Sequence, residues 1–572
     1  MTDNRNTLTP DGTNDRLFAE LAAEKSVTGA LASLFEAEGY RQVRTPGLEF
    51  LSVFETNAAY FPPEEMFKLS DNKGRLVAVR PDSTIAIARL TATKLKGAAL
   101  PLRIYYAQSV YRRQPEHRGR DAEVMQMGVE LIGEAGFEAD VDMIDLAARS
   151  LSVSYAGRFR IEIGHVGLYN RLVERLGADG EAKERIHRYV TAKNFSALED
   201  VLDGFRDRTT AALILKLPGL FGGAEALSEA EALFEGYDAE ITEMLAYLGR
   251  VTEVLSARGR GVDVMLDLGL VNRAEYYSSL VFRGYGESAG EPLLSGGRYD
   301  GLFRDFGEDL PATGFGLNID LLVEAAGEAS VDPGSAPGMT EAAPGMTEAA
   351  GLPSRALRVA LTKGRLEKDF MAVMEAAGYD MTPLRDKGRK LLIEVAGPAG
   401  TIEIFLAKAP DVVTYVEHGV CEIGIVGKDT LLEHGGTYYE LMDLGLGKCR
   451  FALAALSGGP VAQGKSPEVI ASKYPNYAGR YFERRGLDVR IIRIEGSVEI
   501  APILGLADSI VDIVETGTTL KENGLEIVET IRDISARLIV NVTGMKLRKS
   551  AVEAFVTRIR EARSIAPERS ES

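Results

Sequence analysis

Cysteine occurs only twice in the 572 residues, at Cys421 and Cys449. Two thiols cannot build a disulfide framework, so a reducing, cytoplasmic setting is expected. The five histidines (His117, His165, His187, His418, His434) lack the close spacing of a zinc site, so no metal centre built by the protein alone is expected. No apolar run is long enough to span a bilayer. The polar opening MTDNRNTLTPDGTNDR has no apolar core of a secretory signal. Positive charge is also in deficit: 66 Lys and Arg against 84 Asp and Glu leave a net charge of -18. That balance argues against a broad electrostatic footprint for nucleic acid, and neither a nucleic-acid nor a membrane partner is expected. A local exception is the cluster Arg112, Arg113, His117, Arg118 and Arg120. A solvated loop accounts for it, and so does an anionic ligand gripped by guanidinium groups.

What is present implies several domains, because the chain is too long for one hydrophobic core. Residues 326–354 carry the heptad PGMTEAA twice in tandem, at 337–343 and 344–350. The segment is rich in Pro, Gly and Ala and has no aromatic residue. It cannot bury enough surface to offset the entropy of ordering it, so a flexible linker is expected between parts 1–325 and 355–572.

The back part alternates strand-like and helix-like patterns. ALRVAL (356–361), EIGIVG (422–427) and SIVDIVE (509–515) suit strands, and Leu366, Phe370, Val373, Met374 and Ala377 recur at helical spacing before Gly378. An α/β sheet with functional loops at its strand ends is expected. In the front part, RFRIEIGHVG (158–167) and SSLVFRGYG (278–286) point to an α+β domain on an antiparallel sheet.

Chemistry concentrates in GLADSIVDIVETGTTLKENGL (505–525). A strand running into Thr516, Gly517, Thr518 and Thr519 and then into a helical stretch is suited to a phosphate, through backbone N–H groups and hydroxyls. A plain turn with capping threonines is the alternative. Asp508 and Asp512 before the turn suit sugar hydroxyls or a hydrated magnesium ion. TKGRL (362–366) and IVGKD (425–429) also follow strands and supply Lys363, Arg365, Lys428 and Asp429. Together these segments describe a cleft for two highly anionic substrates.

LTKGRL, PLRDKGRKL (383–391), LAKAPDVVTYVEHGVCEIGIVGKDTLLE (406–433) and GSVEIAPILGLADSIVDIVETGTTLKENGL (496–525) resemble the catalytic subunit of ATP phosphoribosyltransferase, over nearly all of 355–572. One departure is Val413, where proline is expected. The resemblance implies a two-lobed α/β fold like that of periplasmic binding proteins. The chain ends soon after NVTGMKLRKSAVEAF (541–555), which leads to the expectation of the short form, dependent on a separate regulatory protein. The implied reaction joins N1 of ATP to the ribose C1 of phosphoribosyl pyrophosphate and releases pyrophosphate, with Mg2+. The implied roles are phosphate holding by Thr516 to Thr519, ribose or magnesium contact by Asp508 and Asp512, and polyphosphate contact by Lys363, Arg365, Arg385, Arg389 and Lys408. Lys428 and Asp429 join the substrate site.

The front part, over about 15–325, resembles the core of histidyl-tRNA synthetase. The resemblance is carried by GYRQVRTPGLEF (39–50), RPDST (80–84), YYAQSVYRRQPEHRGRDAEVMQMGVELIG (105–133), LVNRAEYY (270–277), GGRYDGL (296–302) and ATGFGLNIDLL (312–322). Arginines that such a synthetase needs for ATP and the carboxylate fall at Ala122, Asn272 and Leu321, although Arg112 remains. Losing those cations removes the charge stabilisation that adenylation requires. Asp82, Thr84, Arg112, Gln126, Glu130, Tyr276 and Tyr277 still suit a bound amino acid, and the pattern resembles the regulatory subunit of short-form ATP phosphoribosyltransferase. The expected ligands are ATP, phosphoribosyl pyrophosphate and regulatory histidine, in a homo-oligomer. The competing readings are a non-catalytic histidine or nucleotide sensor and an active histidyl-tRNA synthetase.

Overall fold

Successive residues of a strand point to opposite faces, and this alternation organises the front part. In Glu123–Ile132, Met127, Val129 and Leu131 enter one hydrophobic cluster, with Leu31, Phe35 and Leu151. Ile132 enters a second cluster on the other face, with Tyr106, Tyr277 and Tyr299. Gln126, Gly128 and Glu130 share that second face by the same alternation. The computed structural model describes residues 9–55, 65–114, 121–259, 263–271, 277–287, 290–328 and 356–565. The chain divides into two compact units, Met1–Gly351 and Leu352–Ser572.

The front unit is built on a nine-stranded sheet. Its centre runs Leu102–Tyr111, Glu123–Ile132, Ala312–Asn318, Leu294–Arg298, Leu280–Gly286 and Phe159–His165, all antiparallel neighbours. Parallel pairs flank it, Arg41–Gln42 on Leu102–Tyr111 and Asp263–Asp267 on Phe159–His165. Between residues 166 and 257 lies a helical stretch that periodicity did not reveal. Its starts are nonetheless signalled locally: the side chains of Asp179, Asn194, Asp207 and Asp238 each accept backbone N–H groups at a helix N-terminus. Helix Ile319–Glu328 runs three residues into the expected linker. The rest of that linker, with both PGMTEAA copies, lies outside the described residues.

The back unit has two sheets and therefore two lobes. The first lobe's six-stranded sheet centres on the parallel strands Leu357–Thr362, Ile402–Ala407 and Ile423–Gly427. The second lobe's five-stranded sheet contains the parallel pair Val469–Ser472 and Ser509–Val514. The chain crosses between lobes after Tyr439–Asp443, and again at Ser535, between Leu525–Ile534 and Ala536–Val540. The two crossings are stitched together: the Leu444 N–H donates to Ala536, and the Ala536 N–H donates to Leu446. Val413 sits in helix Ala409–Glu417 and is 3% exposed, so it serves the core rather than the chemistry. Among the described residues, no helix is long and apolar enough to cross a membrane.

Candidate functional site

Parallel strands deliver their following loops to one edge of a sheet. In the first lobe Thr362 lies in register with Ala407, and Leu361 with Ile425, so TKGRL, AKAP and GKD emerge side by side. Gly364 has φ +104°, a backbone conformation that side chains disfavour, and it opens helix Arg365–Ala376. Glu367 reaches back to the Gly364 N–H at 3.3 Å and takes Lys387 Nζ at 2.6 Å. Glu367 thus ties the DKGRK loop to the TKGRL loop. Lys363, Arg365 and Arg389 are exposed.

In the second lobe, strand Ser509–Val514 ends in the threonine turn. Gly517 takes φ +79°, and a one-turn helix, Thr518–Glu522, follows. The Thr516 and Thr518 hydroxyls lie 3.0 Å apart, and Thr516, Thr518 and Thr519 are exposed. Just before the turn, Glu515 accepts Arg365 Nη1 from the other lobe at 2.6 Å. That bond holds the Glu515 carboxyl below the ordinary carboxylate range. Asp512 is half-buried, and desolvation raises it to about 6; the fields of Glu499 and Asp429 push the same way. Tyr474 donates its hydroxyl to Asp429 across the lobes at 3.0 Å. Burial holds that phenol protonated well above its usual range.

Between the lobes lies a cavity of about 380 Å³ lined by Arg365, Lys428, Asp429, Cys449, Glu515 and Ser535, among others. Its floor is the pair of crossings. Beneath it, Glu440 takes Lys428 Nζ at 2.5 Å and Arg537 Nε at 2.9 Å. Arg537 also meets Asp443 at 2.6 Å and the Ser535 hydroxyl at 2.5 Å. Burial lowers the Lys428 pKa, and Glu440 opposes that shift. Cys449 is pushed up to about 11 by burial, which leaves it a neutral thiol.

In the front unit the second face of the sheet carries a cluster of buried and half-buried polar groups. Glu130 is 2% exposed and takes the hydroxyls of Thr84, at 2.7 Å, and Tyr299. Asp82, 6% exposed, takes the Ile85 N–H at 3.1 Å and lies 3.9 Å from Arg112 Nη2. Burial raises both carboxyls, Glu130 far above its ordinary value. Gln126 Oε1 is buried and has no hydrogen-bond partner among the described residues. Tyr277 packs edge-on to Tyr299 with ring centres 6.5 Å apart. A Cβ at Gly316 would come within 3.1 Å of both Gln126 Nε2 and the Tyr106 hydroxyl, so only glycine leaves room for these polar atoms.

A family model described as ATP phosphoribosyltransferase matches residues 408–561, and one described as histidyl-tRNA synthetase matches residues 12–322. An ATP phosphoribosyltransferase from Clostridium kluyveri is 54% identical over 205 residues, 36% of this chain and 93% of the relative. The chain belongs to the ATP phosphoribosyltransferases. The regulatory subunit of that name from the same organism is 37% identical over 319 residues, 55% of this chain and 81% of the relative. A crystal structure of an ATP phosphoribosyltransferase regulatory subunit/histidyl-tRNA synthetase from Bacillus halodurans is 30% identical, with a TM-score of 0.52. The match covers 70% of this chain and 93% of that one. The chain therefore joins a synthetase-like regulatory part to an ATP phosphoribosyltransferase catalytic part, the enzyme of the first step of histidine biosynthesis.

Against the phosphoribosyltransferase site read from sequence, the structure brings Arg365, Lys428, Asp429 and Asp512 into one neighbourhood but withdraws Asp508. The Asp508 carboxylate accepts the N–H groups of Glu468 and Val469, at 2.8 and 3.1 Å, and the Ser509 hydroxyl at 3.0 Å. It sits at the start of the strand whose far end carries the threonine turn, so it joins two strands rather than facing the turn. Lys428 lines the cavity, yet it is 7% exposed and pairs with Glu440. Arg385 pairs with Glu375 of its own lobe, and Lys408 is the exposed N-cap of helix Ala409–Glu417. Neither lines the cavity. In the regulatory part, Asp82, Thr84, Arg112, Glu130 and Tyr277 lie near one another around Tyr106, with Gln126 on the same sheet face, whereas Tyr276, Asn272 and His117 lie outside the described residues. Ala122 is buried and Leu321 half-buried. Sequence reasoning missed Tyr106 and Tyr299, although both stand inside quoted motifs, YYAQ and GGRYDGL. It also missed Tyr474 and Glu515, whose roles depend on a partner in the other lobe.

Proposed function

We propose that the cleft binds ATP and phosphoribosyl pyrophosphate together and lets adenine N1 displace pyrophosphate from the ribose C1. The observation that carries this reading is the meeting, at one cavity, of the first lobe's Arg365 and Asp429 with the strand end of the second lobe that supplies Ile513 and Glu515, next to Asp512. Thr516, Thr518 and Thr519 offer hydroxyls to the 5-phosphate, Asp512 faces the ribose, and Lys363, Arg365, Lys387 and Arg389 offer cations to the polyphosphates. Such a reaction needs positioning and charge stabilisation rather than a covalent nucleophile. Among the described residues no group of three or more His, Cys, Asp or Glu is placed to hold a metal. Mg2+ therefore fits best as an ion carried on substrate phosphates and met by Asp512 or Asp429, since this ion keeps few protein ligands. When bound, it would neutralise the pyrophosphate leaving group.

The regulatory domain (1–325) binds free histidine at its cluster of buried polar groups and reports its presence to the catalytic domain (355–572), with the linker (326–354) serving as a tether. Asp82, Gln126 and Glu130 match the ammonium and imidazole nitrogens, and Tyr277 matches the ring edge. Arg112, beside Asp82, offers a cation for the ligand carboxylate. We place the protein in the cytoplasm as a homo-oligomer with no nucleic-acid or membrane partner. A pyrophosphate-release assay with ATP and phosphoribosyl pyrophosphate tests the reading directly. Release that needs both substrates and falls when histidine is added supports it; no release under any condition sinks it.

A further inference from the structure

The two lobes are joined differently on the two sides of the cleft. On one side helix Lys428–His434 of the first lobe meets Tyr474 and helix Pro475–Arg484 of the second. There Asp429 takes the Tyr474 hydroxyl, and Glu433, 7% exposed, takes the N–H groups of Asn476 and Tyr477 at 3.1 and 2.9 Å. That seam is largely buried and uses backbone donors. The other junction is the Arg365–Glu515 ion pair, 2.6 Å long, with side chains 66% and 51% exposed. Both of its residues line the cavity.

Glu515 is oddly placed for a phosphate site. It immediately precedes the threonine turn, where a second negative charge opposes an anionic ligand. Arg365 opens a helix beside Lys363 and is the cation that Glu515 occupies. A carboxylate and a phosphate compete for the same guanidinium fork, and the phosphate can accept it in the same bidentate way. An exposed pair holds weakly, worth a few-fold at most in an equilibrium constant, so exchange is cheap. The exposed mouth can therefore release while the buried seam stays closed.

We propose that Glu515 is a built-in stand-in for substrate phosphate, holding Arg365 across the mouth of the cleft until a polyphosphate displaces it. Glu515 then lowers affinity for an anionic substrate and leaves the chemical step alone. The inference rests on the cleft's reading as the phosphoribosyl-transfer site. Glu515→Gln should lower the KM of the substrate that takes Arg365 by about twofold to fivefold, with kcat retained. Measuring KM for ATP and for phosphoribosyl pyrophosphate separately identifies which polyphosphate it is. In an Arg365→Ala background the same substitution should shift neither KM.

A raised KM or a reduced kcat in Glu515→Gln would make the pair a structural clamp and overturn the proposal. A KM shift that survives in the Arg365→Ala background would overturn it too, leaving simple repulsion by the carboxylate. The two levels of the argument separate cleanly. A wild-type enzyme that releases no pyrophosphate defeats the reading of the cleft, whereas an active Glu515→Gln enzyme with both KM values unchanged defeats only this inference.

Discussion

In the regulatory part the carboxylates Asp82 and Glu130 are 6% and 2% exposed, while in the catalytic part Arg365 and Glu515 are 66% and 51% exposed. Burial makes the first site costly to leave unsatisfied. Thr84 and Tyr299 already occupy the Glu130 oxygens, and desolvation keeps that carboxyl protonated far above its usual range. A ligand proposed to bind among such groups must bring matching donors, because a mismatched polar group buried there has no water to turn to. The catalytic cleft faces ligands that carry many charges and water with them. Arg365 and Glu515 at its mouth stay exposed and exchange partners readily, while its floor, the Lys428–Glu440–Arg537 network, is buried.

If that contrast is right, substitutions in the two parts will read out differently. The largest effect is expected from Glu130→Ala, which leaves two buried hydroxyls without their acceptor. It should cost about 3 kcal/mol of the regulatory part's stability, measured by urea denaturation, and abolish histidine binding in calorimetry. A variant of unchanged stability that still binds histidine would mean that this cluster is not the sensor. Thr516→Ala combined with Thr519→Ala should leave stability alone, because both side chains are exposed. It should raise the KM for phosphoribosyl pyrophosphate about tenfold through lost hydrogen bonds to phosphate, and steady-state kinetics with an unchanged KM would remove the turn from the site.

A pH effect should be smaller. Asp512 is raised to about 6 by burial, so the folded protein holds this proton more tightly than the unfolded chain does. The contribution of Asp512 to stability therefore falls as pH rises from the ordinary carboxylate range to about 6. The ionised form is the one suited to ribose or magnesium, so kcat/KM should climb through that window and level off above it. Asp512→Asn should flatten the climb, and a pH–rate profile that keeps it would assign it to another group. The smallest effect is expected from deleting one PGMTEAA copy, since the cost of closing a flexible tether varies slowly with its length. Activity should stay within about twofold, and a larger loss with folding intact would mean that the segment docks.

Much of the catalytic scaffold was legible because its signals are local. Short apolar runs ending in Lys-Gly-Arg, Gly-Lys-Asp and Thr-Gly-Thr-Thr mark strands and the loops that follow them, and Gly364 and Gly517 do take positive φ angles there. The helical stretch from 166 to 257 was less legible, since only its capping residues announce it.

The sequence alone determined which charges stand at the strand ends, and which polar residues the regulatory part carries at its synthetase-like motifs. Only the tertiary structure decided which of those charges are free to meet a ligand. Lys428 and Arg365 look alike as cations after a strand, yet one is buried on Glu440 and the other reaches Glu515 in the opposite lobe. Asp508 and Asp512 lie four residues apart, yet Asp508 accepts N–H groups of the neighbouring strand, whereas Asp512 accepts the adjacent Ile513 N–H and sits half-buried in the field of Asp429. The reason is that a side chain's charge is a local property, whereas its partners and its desolvation are set by strand register and by the two crossings that bring the lobes together.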